Sequence, residues 1–425
     1  MKDILNTSVL SKRWSYIWYL MRDFKFDMLN VLGSEETLLE KGYIVDVTEK
    51  RYEFSDASRN EYVKIVDQII KNFKGTEIDS FMVEFSMKQE NSSTIDQWIT
   101  FAVLRGVKRI DLLFGFDYDG YYKFPFGLFS KFDNSKLKHM QLRYCLVYQE
   151  TSFEILPLTN LRSLILEDSK VDEIFLKTLL HDCHLLEELS LIRCDINTSI
   201  LNIESSSLCL LKLEFCTLKG YNLHTDRLWI NTPALKSIHF RAYCTIEETA
   251  KIFPLIATLP QLEILNLYIP NTPDFINYLN REDFTLENLK ELNLIYGPRE
   301  YNFDISWLSI ILQASPILQK LSVMITSPMV STHLPAIRDV RTFSHCEIKI
   351  IELGGCVGNF YEIEITLNAL KYFHKLERIV LSPYWINEFL DQGLKCDPTW
   401  SQSGRERILE ELHGKGIGLD KLVLV

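Results

Sequence analysis

One short phrase recurs along the whole chain, and its spacing limits what the chain can fold into. Its plainest form is LEELSLIRC at 186–194, where Leu186, Leu189 and Leu191 stand at L-x-x-L-x-L spacing and Cys194 follows. In an extended strand Leu189 and Leu191 point to one side and Ser190 to the other. Equivalent phrases start at Ile78, Val107, Leu137, Leu161, Leu186, Leu208, Leu235, Leu262, Leu289, Leu318, Ile348 and Leu376. Their mean spacing is about 27 residues, with individual steps of 22 to 30, close to the ~20–29 residues of a leucine-rich repeat. A last phrase, LDKLVLV, starts at Leu419.

Between the phrases lie segments of helical period: Ile174–Leu180, Glu247–Ala257, Trp307–Ala314 and Ile363–Phe373. A strand, a helix and another strand on the same side require a crossover, so the strands must be parallel. The expected fold is α/β: a leucine-rich-repeat solenoid, a ribonuclease-inhibitor-like horseshoe with parallel strands on the concave face and helices on the convex face. Cys145, Cys194, Cys216 and Cys356 share one phrase position, expected at the turn leaving the strand, where the side chain meets backbone. Upstream, YIVDVTEKRYEF suggests an irregular strand or a hairpin arm, and EYVKIVDQIIKNF a helix closed by Gly75. The final SGRERILEELHGKGIGLDKLVLV reads as helix, glycine-rich turn and strand, capping the array.

A chain of 425 residues would ordinarily split into several domains, but stacked repeats need only their neighbours. The 57 acidic against 46 basic residues give a net charge of −11, which argues against nucleic acid or an acidic membrane surface as partner. The N-terminal MKDILNTSVLSKRW lacks the apolar core of a secretion signal. No apolar stretch approaches the ~18 residues of a membrane span. The nine cysteines are therefore expected as reduced thiols, the sequons at Asn6, Asn91 and Asn197 as incidental, and the location as cytoplasmic, nuclear or both.

Catalytic and metal signatures are weak. His181-x-Cys183-His184 has no second ligand pair at zinc spacing. Gly354-Gly355-x-x-Gly358 has no Gly-Lys-Ser/Thr after it and is better explained by turn geometry. Glu187–Glu188 and Glu410–Glu411 are adjacent acids that do not face one another, and no nucleophile elbow occurs. The reading is a non-enzyme with no cofactor and no metal. Residues flanking the inward leucines should be exposed on the concave face, and the candidates for holding a partner are Arg143, Glu167, Glu188, Lys212, Glu214, His239, Arg241 and Tyr268. Their mixed signs suit a protein better than a polyanion.

At residues 5–26, LNTSVLSKRWSYIWYLMRDFKF resembles the C-terminal part of a plant F-box, through Thr7, Ser8, Val9, Leu10, Ser11, Lys12, Arg13, Trp14 and then Trp18. Leu10, Trp14, Ile17 and Trp18 form one stripe of a helix. Asp96, Trp98 and FAVLRGVKRIDL at 101–112 resemble the W-I-x-x-A-x-x-R-G-V-K-x-L-x-L segment of plant F-box/leucine-rich-repeat proteins. The 348–381 region, ending in LERIVLS, is similar to the FBD-type segment. This resemblance implies a substrate-recognition subunit of an SCF-type E3 ubiquitin ligase. The Leu10, Trp14, Ile17 and Trp18 stripe would bind a Skp-type adaptor and through it a cullin, and the repeats would bind an unidentified substrate protein. The L-P-x-x-[IL]-L helix pair that usually opens an F-box is not found before Leu5. The expected domains are accordingly a C-terminal F-box remnant (1–29), a connecting segment with a leading helix (30–77), the repeat array (78–345), and C-terminal repeats with an FBD-like segment and cap (346–425). Two alternatives stay open: a repeat scaffold that no longer recruits the ligase, its stripe packing as an N-terminal cap, and a small-molecule co-receptor.

Overall fold

A computed structural model describes residues 20–41, 44–48, 51–115, 120–130, 136–148, 158–270, 275–280, 283–297, 306–325, 344–383, 402–414 and 420–425. The chain forms two compact units: unit 1 is Met1–Leu208 with Cys216–Tyr221, and unit 2 is Cys209–Phe215 with Asn222–Val425. The fold is an α/β solenoid of parallel strands with interspersed helices.

In unit 1 the described strands of the main sheet are β1 (Asp23–Asp27), β2 (Ser80–Phe85), β3 (Arg109–Phe114), β4 (His139–Arg143), β5 (Ser163–Glu167) and β6 (Glu188–Ile192), in chain order. Every neighbouring pair is parallel. Among the described residues the ladder thus begins at Asp23, one strand before the first phrase at Ile78. Helix α1 (Asp56–Asn72) precedes β2, α2 (Ser92–Leu104) joins β2 to β3, and α3 (Glu173–Asp182) joins β5 to β6. The phrase leucines form the core as the spacing requires. Leu186, Leu189 and Leu191 are fully buried, as are Leu164 and Leu166 beside them. Each such side chain contributes about 1.5–3 kcal/mol through burial. Ahead of α1, Ile44–Thr48 and Arg51–Phe54 pair antiparallel, the hairpin that YIVDVTEKRYEF suggested.

The Trp98–Val107 motif is a structural corner. Trp98 is buried and its indole N–H donates to Asp67 (2.8 Å), while Asp96 accepts from the Tyr122 hydroxyl (2.5 Å). Arg105 ends α2 with its guanidinium 4.0 Å over the Phe101 ring, and its carbonyl accepts from Ile78 (3.1 Å). Gly106 follows at φ +66°, the left-handed position that glycine adopts without strain.

Unit 2 repeats the scheme with β7 (Leu210–Glu214), β8 (Ser237–Arg241), β9 (Ile264–Pro270), β10 (Glu291–Gly297), β11 (Lys320–Ile325), β12 (Ile350–Gly354), β13 (Arg378–Ser382) and β14 (Leu422–Leu424), again parallel throughout. Helices α4 (Ile246–Ala250), α5 (Ile252–Ala257), α6 (Ser306–Ala314), α7 (Phe360–Tyr372) and α8 (Gln402–Gly414) cover the periodic segments. The expectation of a helix on the crossovers needs correction in two places: between β7 and β8, where the chain runs as short strands with one tight turn at Thr225–Arg227, and between β6 and Leu208. In the second the chain runs as short strands, Asp195–Asn197 and Leu201–Glu204. The step is the shortest of the series, and its Ser-, Asn- and Ile-rich sequence disfavours a helix. Among the described residues no helix is long and apolar enough to cross a membrane.

Where the four cysteines sit

Cys145, Cys194, Cys216 and Cys356 all follow a residue in the left-handed region: Tyr144 (φ 57°), Arg193 (50°), Phe215 (51°) and Gly355 (72°). The turn brings each thiol onto a backbone carbonyl. Cys194 donates to Leu166 (3.2 Å), Cys216 to Leu191 (3.2 Å) and Cys356 to Leu353 (3.3 Å). Ser169, after Asp168 (φ 44°), fills the same place in the intervening repeat. Its hydroxyl donates to Glu167 (2.7 Å) and accepts from the Cys145 N–H (3.0 Å).

Candidate functional site

The candidate partner-binding residues divide between the units, and each strand face stands by itself. Arg143, Glu167 and Glu188 lie in unit 1. Arg143 alternates with buried Met140 and Leu142 on β4, and its guanidinium donates to the carbonyls of Phe114 (3.0 Å) and Leu113 (3.2 Å). Glu167, opposite Arg143 in the register, accepts from Gln141 (3.0 Å). Glu188 accepts from the Ser163 hydroxyl (2.7 Å) and lies 3.4 Å from that of Ser190. The polar side chains of this face therefore bind their neighbours across the strands.

Lys212, Glu214, His239, Arg241 and Tyr268 come together in unit 2. Parallel pairing sets Lys212 beside His239 and Glu214 beside Arg241, and His239 beside Asn266. Glu214 Oε1 is 3.5 Å from Lys212 Nζ and 3.6 Å from Arg241 Nε. Burial, and then the positive charges of Lys212 and Arg241, depress the His239 imidazole to about 4, so it is neutral at physiological pH. Burial also lowers Arg241, opposed by the Glu214 carboxylate. The polar row continues with Asn293, whose amide donates to Asn266 (2.8 Å), and Ser322, whose hydroxyl donates to Glu352 (2.9 Å).

Exposure on these faces is lower than the alternation pattern implies. Ser163, Ser190, Glu214, Arg241 and Asn266 are buried, because adjacent strands bring flanking side chains within hydrogen-bonding reach of one another. Arg109 and His139 are exposed in unit 1, and at the strand exits of unit 2 an aromatic cluster is half-buried to exposed. Phe215 lies 4.8 Å from Tyr243 and 6.3 Å from Tyr268, ring centre to ring centre, and Tyr243 is 65% exposed. An aromatic cluster next to a buried Arg–Glu pair has the composition of a protein-binding hot spot. The strand alternation identified Tyr268 and missed Phe215 and Tyr243. They occupy the eighth and ninth positions of their phrases, so aligning the repeats beyond the leucines would have found them.

Leu10, Trp14, Ile17 and Trp18 lie outside the described residues. The glycines at 354–358 form a cradle that the chain fills itself, since the Glu362 carboxylate accepts from the N–H groups of Val357 (3.1 Å) and Gly358 (2.8 Å). His181, Cys183 and His184 do not converge: the Cys183 thiol donates to Leu158 (3.3 Å) while His181 contacts Asp182 (2.8 Å). A different trio does, with donor atoms of His224, Cys244 and Glu248 all within 4.8 Å of one another.

The At1g61320/AtMIF1 LRR domain family matches residues 69–404. Among curated proteins, the chain is similar to the F-box/LRR-repeat protein At3g26922 of Arabidopsis thaliana, 27% identical over 71% of this chain and 86% of that protein. It is similar to the F-box/FBD/LRR-repeat protein At1g13570 of the same plant, 26% identical over 93% of this chain and 89% of that protein. A third relative, the FBD-associated F-box protein At5g56370, is 26% identical over 55% of this chain, which spans only 48% of that protein's length.

Proposed function

Because the chain belongs to the At1g61320/AtMIF1 LRR domain family, with plant F-box, FBD and LRR-repeat relatives at 24–27% identity, we propose that it is a non-catalytic recognition protein of ubiquitin-dependent turnover. In this reading it is the substrate-recognition subunit of an SCF-type ligase. A target protein docks on the repeats, and the Leu10, Trp14, Ile17 and Trp18 stripe of residues 1–29 contacts a Skp-type adaptor that leads to a cullin. Such a subunit makes and breaks no bonds. It raises the effective concentration of a target lysine near the conjugating enzyme.

The observation that carries the docking half is the Phe215–Tyr243–Tyr268 cluster beside Arg241 and Glu214 in unit 2. Rigid aromatic rings offer large contact area at small entropic cost, and the neighbouring pair supplies charge for orientation. The full chain should retain a Skp-type adaptor in affinity capture and lose it on Trp14→Ala/Trp18→Ala. It should also retain a specific target that Tyr243→Ala/Tyr268→Ala releases, each truncation weakening the complex by about 2 kcal/mol or more. Failure to retain any Skp-type adaptor would overturn the ligase role. Target binding indifferent to Tyr243 and Tyr268 would overturn the docking surface.

A further inference from the structure

We propose that His224, Cys244 and Glu248 of unit 2 form a zinc site with an open fourth position. The three supply an imidazole nitrogen, a thiol sulfur and a carboxylate oxygen, the donor types zinc takes from proteins. All lie within 4.8 Å of one another, each on a partly buried side chain. A shared tetrahedral ion would set them about 3.3–3.8 Å apart, so a closing movement of about 1 Å completes the triangle. His224 Nδ1 already lies 2.9 Å from Glu248 Oε1, and this nitrogen is shielded from solvent without a well-directed hydrogen bond.

The surroundings hold the donors as the outer shell of a metal site does. Thr245 caps α4 and binds the far oxygen of the Glu248 carboxylate, through its N–H (2.7 Å) and its hydroxyl (2.9 Å) to Oε2. That leaves Oε1 turned toward His224. Glu248 stands four residues after Cys244, so the N-terminal turn of α4 brings the two together. The His224 segment is fixed to the same helix from below. The Thr225 hydroxyl donates to the Glu248 carbonyl (2.8 Å), and Lys251 pairs with Asp226 (3.1 Å). The Cys244 thiol donates to the Leu223 carbonyl (3.4 Å), a bond it would give up on binding the ion, and its sulfur already lies within 4.8 Å of the other two donors.

A bound ion would fix the 244–248 turn, and with it Tyr243, the exposed ring of the aromatic cluster. The site stands independently of the ligase reading, because its ligands come from unit 2 alone and its test involves no partner protein. No sequence signature announces it: His224 is 20 residues from Cys244, outside the usual short zinc spacings.

Cobalt(II) serves as a coloured probe for the zinc position in the full-length protein. The expected result is stoichiometric binding with visible bands of a four-coordinate ion and a near-ultraviolet thiolate-to-metal band, both abolished by added zinc. Cys244→Ser should remove the thiolate band, and His224→Gln should weaken binding roughly a hundredfold or more. Thr245→Ala, which frees the outer carboxylate oxygen, should cost roughly 10–100-fold. Cys346→Ser, at an exposed thiol outside the trio, should change nothing. The proposal is overturned if cobalt binds no more tightly than to unfolded chain. It is equally overturned if the thiolate band survives Cys244→Ser, or if His224→Gln, checked for native folding by circular dichroism, binds like the parent.

Discussion

Two groups of strands end in different ways: β4, β5 and β6 of unit 1, and β9 and β10 of unit 2. In unit 1, β4, β5 and β6 stop after five residues each. The next residue is left-handed, and the one after it (Cys145, Ser169 or Cys194) makes a hydrogen bond into the turn. In unit 2, β9 and β10 run seven residues, and the equivalent ninth positions hold Pro270 and Gly297. Proline has no side-chain donor to close the turn and forces the residue before it, Ile269, into extended backbone. The strand therefore continues. With Cys145, Ser169 or Cys194 at the ninth position the chain turns at once, and with Pro270 or Gly297 there the ladder runs two residues further.

Each unit has its own core of phrase leucines, built to one pattern. Leu191→Ala in β6 and Leu294→Ala in β10 remove fully buried side chains. Each should cost about 2–5 kcal/mol in urea unfolding. A cost below about 1 kcal/mol for either would mean that the two cores are not equivalent.

The next difference is in what the turns respond to. The exits of unit 1 rest on hydroxyl and thiol groups, and burial drives Cys145 and Cys194 far above the ordinary thiol range, so neither titrates near neutrality. The glycine turn after β12 has the same kind of thiol bond, from Cys356, and adds a carboxylate. Burial raises Glu362 from 4.5 to about 7, against the downward pull of the Val357, Gly358 and Asn359 N–H groups. A carboxyl whose folded value lies above its unfolded value contributes most below the unfolded value and loses that contribution as pH rises through the folded one. Stability should therefore fall by about 3 kcal/mol from below pH 4.5 to above pH 7 through this group. Glu362→Gln should flatten that slope in thermal unfolding followed across the same range. An unchanged slope in the variant would remove Glu362 as its source.

Smaller is the effect of the one hydroxyl among the unit 1 exits. Ser169→Ala leaves the Cys145 N–H without its acceptor in a buried turn, which should cost about 1–3 kcal/mol. Ser169→Cys, the residue its neighbours use, should recover part of it. If alanine and cysteine prove equal in urea unfolding, the ninth position acts through size and not through hydrogen bonding.

How much of this the sequence discloses follows from what each feature depends on. Leu189 and Leu191 reveal their burial because period two and a repeat near 27 residues are properties of the chain itself. The shared place of Cys145, Cys194, Cys216 and Cys356 was legible for the same reason, whereas Ser169 escaped by being a different residue in the same role. Partner-binding candidates were harder. Glu214 and Arg241 alternate correctly with the leucines, yet they are buried because of residues on neighbouring strands, about 27 positions away in sequence. Phe215 and Tyr243 form a cluster only once two repeats are set side by side. The His224, Cys244 and Glu248 trio depends on a turn and a helix cap meeting, which no local spacing encodes.

The smallest effect tests the left-handed position directly. Tyr144 holds φ at 57°, while Ile269, its counterpart in unit 2, is β-branched and lies within strand β9. A side chain at that angle costs roughly 1–2 kcal/mol, which glycine would relieve, but glycine forfeits about 0.5–1 kcal/mol through the freedom it gains in the unfolded chain. Tyr144→Gly should therefore move stability by less than about 1 kcal/mol. Tyr144→Val brings the branching of Ile269 into the unit 1 turn and should destabilise by roughly 1–3 kcal/mol. Faster amide exchange at Tyr122, whose N–H donates to the Tyr144 carbonyl (3.2 Å), would localise the damage to that turn. Equal stability of the glycine and valine variants would show that the angle imposes no constraint, and that the ninth residue alone ends the strand.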